Sequence, residues 1–167
     1  MSFAYKNLLT ALIFLLGAAL LNGCGFKLRG NYLLDPQLQT LYVSSVDIHG
    51  ELTRLVKKHL QINHVIVRKR TEENIPELRI LADKLDRRTL SVFDNGQVAE
   101  YEIIYTVNYQ LRLPQQEALQ FSLELTRDYQ DDPDNALAKS RELSLMLSEM
   151  RRQAADRILR NMASISL

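Results

Sequence analysis

The stretch "QVAEYEIIYTVNYQLRL", residues 97–113, constrains the fold more than any other part of the chain. Tyr101, Ile103, Tyr105, Val107, Tyr109, Leu111 and Leu113 occupy alternate positions, and Glu100, Glu102, Thr106, Asn108, Gln110 and Arg112 lie between them. An extended backbone sends successive side chains to opposite faces, so this pattern makes one dry face and one mostly wet face. That is a long strand of a sheet covered on one side only, which antiparallel sheets permit. The flanking sequence supplies its neighbours. Residues 77–93 run into Asp94-Asn95-Gly96, whose glycine and asparagine suit a hairpin turn. Pro114 to Ala118 makes a second turn, after which Leu119, Phe121, Leu123 and Leu125 alternate again. Three strands in a meander form the centre of the sheet.

The rest of the chain supplies a second layer. "QTLYVSSVDI", residues 39–48, reads as a first strand rich in β-branched residues. Leu52, Leu55, Val56, His59 and Leu60 recur at helical spacing from Gly50 to Ile62, and "HVIVRK", residues 64–69, follows as a short strand. Asp132 is placed to cap a helix with Pro133 in its first turn. From there Ala136, Leu143, Leu147, Met150, Ala154, Ile158 and Met162 set out a helix of up to about 30 residues. The expected fold is α+β: a two-layer sandwich, with an antiparallel-rich four-stranded sheet, and room for one extra short strand, packed against two helices. With 46% hydrophobic and 25% charged residues in 167, the chain can bury a core as one domain, and disorder is excluded outside the ends.

The N-terminus is of another kind. Lys6 precedes "LLTALIFLLGAALL", residues 8–21, fourteen positions without a charge. That run has the length of a signal-peptide core and is too short to span a bilayer, which takes about 18 apolar residues or more. Leu21, Asn22, Gly23 and Cys24 follow, and they resemble the bacterial lipobox, in which the cysteine is acylated and becomes the first residue. Asn22 departs from the usual small or β-branched residue there. The alternative is a core cysteine at the end of an ordinary signal peptide or of an N-terminal apolar helix. Cys24 is the single cysteine of the chain, so it has no disulfide partner within it. The expected organisation is a signal peptide over 1–23, a lipidated tether over 24–37 and one domain over 38–167. Gly25, where an aspartate would favour the inner membrane, points by the same resemblance to the periplasmic face of the outer membrane. Of 21 Lys and Arg only Lys6 precedes Cys24, leaving 20 against 20 Asp and Glu, a mature charge of zero. No basic field for nucleic acid is present.

No catalytic or metal-binding constellation emerges from the remainder. His49, His59 and His64 have no ligand spacing, "DYQDDPD" at 128–134 lacks the glycine and distal glutamate of a calcium loop, and there is no phosphate loop or nucleophile elbow. The expectation is no enzyme, no cofactor and no metal. Basic residues gather near the hairpin and the last helix: Arg87, Arg88, Arg127, Lys139 and Arg141. On the residues alone a solvated face outweighs a phosphate receptor, although such side chains could take a phosphorylated ligand.

Four stretches, in order behind the lipobox, are similar to the lipopolysaccharide-assembly lipoprotein family LptE, also called rare lipoprotein B. They are "CGFKLRG", "SVFDNGQVAEYEIIYTVNYQL", "DDPDNALAK" and "EMRRQAADRILRNMASI". The resemblance implies a 1:1 complex in which the domain plugs the lumen of the outer-membrane β-barrel LptD, assists its folding, and meets lipopolysaccharide in transit. It implies lipid attachment at Cys24 and lipopolysaccharide contact at Lys139; Arg127, taken from the basic residues themselves, is the second candidate contact on that face. Asp94 departs from the family, in which a basic residue can occupy this hairpin position. Two readings from other classes stay open: a stand-alone periplasmic lipid-binding or chaperone lipoprotein, and a lipoprotein enzyme.

Overall fold

The computed structural model describes residues 34–165; the signal peptide, Cys24 and most of the expected tether lie outside them. The chain runs β1 (Thr40–Ser45), α1 (Glu51–Ile62), β2 (Ile66–Arg68), β3 (Glu77–Val92), β4 (Val98–Arg112), β5 (Leu119–Gln130) and α2 (Ala136–Ser164). These strands form one sheet in the order β2-β1-β3-β4-β5. β4 pairs antiparallel with β3 and β5, as its alternation predicts. β1 instead pairs parallel with both β2 and β3, so the sheet is mixed and the short strand is its fifth member. The crossover helix α1 makes that parallel pairing possible, because two parallel strands cannot be joined by a tight turn.

The inward row of β4 is the centre of the core. Ile103, Tyr105, Val107, Tyr109, Leu111 and Leu113 are buried, and Leu78, Ile80, Leu123, Leu125 and Tyr129 join them from the neighbouring strands. Tyr109 stacks on Phe121 with centroids 5.2 Å apart and receives a hydrogen bond from Asn161 Nδ2 on α2 at 2.9 Å. α1 contributes Leu52, Val56 and Leu60. α2 contributes Met150, Ala154, Ala155, Ile158, Leu159 and Met162, all from its second half. Its first half departs from the expected stripe. Ala136 is exposed, while Leu143 and Leu147 are half-buried at the margin of the core, and Ser148 near the helix midpoint donates to Glu51 Oε1 of α1 at 2.7 Å.

Local chemistry accounts for where the elements stop. The strand expected over 39–48 ends at Ser45, where Ser45 Oγ accepts from Asp47 N–H and Asp47 Oδ1 accepts from His49 N–H. Gly50 follows Asp47 so closely that a Cβ would lie 2.7 Å from Asp47 Oδ2, and Thr53, buried, donates its hydroxyl to Asp47 O at 2.7 Å. His64 ends the α1 turn in the left-handed region at φ 63°. At the N-terminal side Asp35 caps a 3-10 turn over Pro36–Leu38, and Leu34 and Leu38 on either side of it both enter the core. Packing therefore begins at least four residues before the expected domain start at 38.

A polar latch ties the layers together. Tyr105, on the inward row, donates its hydroxyl to Asp83 Oδ2 at 2.8 Å, and burial followed by the Asp83 carboxylate holds the phenol well above its usual pKa. Arg151 of α2 lies 6.0 Å over the Tyr105 ring and pairs with Glu51 of α1 at 2.7 Å. The Ser148 hydrogen bond and, against the opposing effect of burial, Arg151 hold the Glu51 carboxyl below its usual range.

Val107 is fully buried and Thr106, one residue away, lies on the uncovered face. Val107→Asp buries an unpaired carboxylate at a cost of several kcal/mol, comparable with the whole stability of a typical domain. Urea unfolding should find the Val107→Asp protein unfolded or nearly so and Thr106→Asp within about 1 kcal/mol of the parent. Equal losses at the two positions would contradict the register.

Candidate functional site

The sequence drew attention to one end of the molecule, where the β3–β4 hairpin tip faces the connection between β5 and α2. Each wall is built by short-range hydrogen bonding. In the tip, Gly96 adopts φ 83°, which an L side chain resists, Phe93 N–H donates to Gln97 O, and Asn95 Oδ1 accepts from Gln97 N–H at 3.0 Å. Opposite, Asp131 N–H holds Ala99 O at 2.8 Å, anchoring the connection to β4. Asp132 then accepts from Asp134 N–H and Asn135 Nδ2, and this cap starts a 3-10 turn over Pro133–Asn135 that leads into α2. The expected cap is thus in place, with α-helix proper beginning three residues later than Pro133.

Between the walls lies a cleft of about 730 Å³. Its charged lining is Asp94, Asp131, Asp132 and Asp134 against Lys139 alone. Four negative charges against one positive make a net charge of −3, the wrong sign for a receptor that would hold bare phosphate. Lys139 is also engaged. Its Nζ sits 2.9 Å from Glu142 Oε2 and 5.4 Å above the Tyr129 ring, and Tyr129 donates its hydroxyl to Lys139 O. The hydrogen bond to Glu142 holds its ammonium above the usual lysine range, and that from Asn135 holds Asp132 below the carboxylate range.

The other basic candidates are dispersed. Arg127 Nη2 donates to Gln153 Oε1 at 2.8 Å and its Nη1 to Thr126 O, and Arg127 does not line the cleft. Gln153 is 153 − 139 = 14 residues beyond Lys139 on α2, about 21 Å along the helix axis. Arg88 pairs with Glu102 at 2.6 Å, and Arg87 lies 5.8 Å over Tyr101. Arg141 borders a shallow groove on the exposed flank of α2 with Leu145. Lys139 and Arg127 therefore do not converge on a single cavity. Sequence reasoning missed Arg157, whose Nη1 reaches Glu124 O at 3.1 Å on the far strand. No signal short of knowing the packing of α2 on β5 could have found it.

The uncovered face of the sheet is mostly polar along its centre, with Ile104 and Ala82 as apolar exceptions. Asn108 faces Ser122 and Ala82, Gln110 faces Gln120 and Arg79, and Thr106 faces Glu124 and Lys84. Glu77 on the same face accepts from Ser44 Oγ and Arg112 Nη2; against burial, which would raise it, these bonds hold its carboxyl low. Among the described residues no group of His, Cys, Asp and Glu is arranged to hold a metal ion, and no helix is long and apolar enough to cross a membrane.

Comparison with known proteins gives a consistent result. The family model described as "LptE: Lipopolysaccharide-assembly" matches residues 38–162. The chain is 37% identical over 162 residues to the LPS-assembly lipoprotein LptE of Pectobacterium atrosepticum, covering 96% of this chain and 88% of that protein. It is also 37% identical over 154 residues to the Yersinia enterocolitica protein of the same name, covering 90% of this chain and 74% of the relative. Among solved structures, rare lipoprotein B from Shewanella oneidensis superposes with a TM-score of 0.69 at 50% identity, over 75% of this chain and 94% of that one.

The cap is the feature of the cleft that can be tested in isolation. Asp132→Ala should lower stability by about 1 kcal/mol in urea unfolding, the usual cost of losing an N-cap oxygen. An unchanged midpoint would show that the start of α2, and the wall that carries Lys139, does not depend on it.

Proposed function

Because this chain belongs to the LptE family, we propose that it acts in lipopolysaccharide assembly as the plug of an outer-membrane β-barrel, LptD, whose folding it assists. It is a non-enzymatic lipoprotein of the cell envelope, in keeping with the family. In the proposal Cys24 carries the lipid that holds it at the outer membrane; two or more acyl chains, at about 0.8 kcal/mol per buried methylene, suffice for stable anchoring.

The observation that carries the plug reading is the uncovered sheet face. Thr106, Asn108, Gln110, Gln120 and Ser122 near its centre are neutral hydrogen-bonding groups, with Ile104 beside them and both signs of charge around them. A barrel lumen is polar and a plug must bury polar surface against it, which such a face does without stranding a large unpaired charge. The stand-alone lipid-carrier reading fares worse, since an acyl chain needs an apolar enclosure and the cleft at the hairpin end is acidic.

Lipopolysaccharide contact at Lys139 is part of the proposal, in a specific form. An incoming phosphate must displace Glu142 from Nζ and does so against four nearby aspartates, so the contact is made where the ligand bridges from the cleft rim rather than deep within it. Arg127 would act separately, from beside Gln153.

The test is co-purification from detergent-solubilised membranes with the barrel co-expressed. The full chain should elute with the barrel at 1:1, and Cys24→Ala should still do so while failing to stay with membranes when the barrel is absent. Lys139→Asp should keep the complex and weaken lipopolysaccharide binding at low salt by about 1–3 kcal/mol. Elution of the wild-type chain free of the barrel would overturn the plug reading, and unchanged lipopolysaccharide binding by Lys139→Asp would overturn the contact alone.

A further inference from the structure

The two edges of the sheet are built differently. β2 closes one side with only three residues, Ile66–Arg68, a short strand of the kind that offers little to a pairing partner. β5 closes the other with twelve residues, Leu119–Gln130, paired to β4 without a register shift. It carries no proline, no lysine and no bulge, the usual means by which an exposed edge is blunted.

The orientation of this edge follows from three contacts. Asp131 N–H bonds Ala99 O on the β4 side, while Glu124 O and Thr126 O are turned away from β4 and accept from Arg157 and Arg127. In an antiparallel strand the N–H and C=O of one residue point to the same side and alternate residue by residue. The backbone groups of Ser122, Glu124, Thr126 and Asp128 therefore face outward. Two of their carbonyls already have guanidinium N–H donors in the places that the N–H groups of another strand would take. Both arginines are exposed and can withdraw.

We propose that the outer edge of β5 is a docking edge for an extended segment of the barrel partner, which adds a sixth strand and takes over Glu124 O and Thr126 O from the two arginines. This deepens the plug reading and rests on it. The chemistry of the segment follows from the side chains that share the edge: Glu124 and Asp128 are acidic, and no cation stands among the alternate residues from Gln120 to Gln130. A segment with basic residues opposite them is favoured, since opposite charges across a strand pair attract and like charges repel. Pairing of β5 with a second copy about Thr126 is disfavoured on the same ground, because it would set Glu124 against Asp128. A closed wall strand of the barrel has no free edge, so the segment comes from a loop or a terminal extension of the partner.

The experiment is amide hydrogen exchange on the detergent-solubilised complex of full chain and barrel, compared with the free chain. The N–H groups of Ser122, Glu124, Thr126 and Asp128 should slow by about tenfold or more in the complex. Ser122→Pro provides an independent arm, because proline is tolerated where an edge N–H faces outward and cannot donate to an added strand. The variant should keep the circular dichroism of the parent and yield about tenfold less complex. A complex that forms with these four amides exchanging as fast as in the free chain overturns the docking edge and leaves the plug reading standing. Failure of the wild-type chain to form any complex removes both. If Ser122→Pro does not fold, the exchange comparison decides alone.

Discussion

Everything in this structure depends on β4 burying one of its two faces and only one. The inward row from Ile103 to Leu113 meets β3 on one side, β5 on the other and both helices from above, so each neighbour is positioned by the same strip of side chains. Apolar burial at about 25 cal/mol per Å² is the driving term, and it is concentrated where α1 and the second half of α2 lie over the sheet. Beyond that cover the molecule changes character. The hairpin arms continue, but Arg87, Arg88, Leu90 and Val92 of β3 are exposed, and so is the first half of α2 at Leu137 and Leu145. Here the apolar contribution narrows to Tyr129, buried beneath the start of α2, and polar contacts share the work: the Asp132 cap, the Asp131 link to Ala99, and the Tyr129 hydroxyl on Lys139 O.

The alternation of β4, the hairpin at Gly96 and the cap at Asp132 were legible in the sequence because each is a local rule, set by a period of two or by a single residue's conformational preference. The parallel pairing of β1 was not legible, since it depends on which edge of the meander α1 leads back to. The stripe drawn through α2 was right in its second half and failed at Ala136 because periodicity reports which residues could be buried, not whether a partner extends far enough to bury them. Leu34 was missed because a proline turn reads as tether until Leu38 is seen to pack beside it.

The site shows the same division. The sequence gathered Arg127 and Lys139 as one basic face, and the fold gives them separate partners, Gln153 and Glu142. Net charge over a segment could not reveal that the cleft beside Lys139 is lined by four aspartates from two different connections. The proposed role in lipopolysaccharide assembly therefore leans on the polar sheet face and the long β5 edge more than on a phosphate pocket. The centre of that face carries few charges, as seating against a polar wall demands, and the β5 edge presents acidic Glu124 and Asp128 to a basic partner.

The most direct test of this division is native-state hydrogen exchange along the β3–β4 hairpin of the free chain. Amides of β4 between Ile103 and Leu111 should exchange only through global unfolding, while those from Leu90 to Val98 should open at a free energy lower by about 2 kcal/mol or more. Uniform protection from the strand centre to the hairpin tip would contradict the claim that the helix-covered half alone sustains the fold.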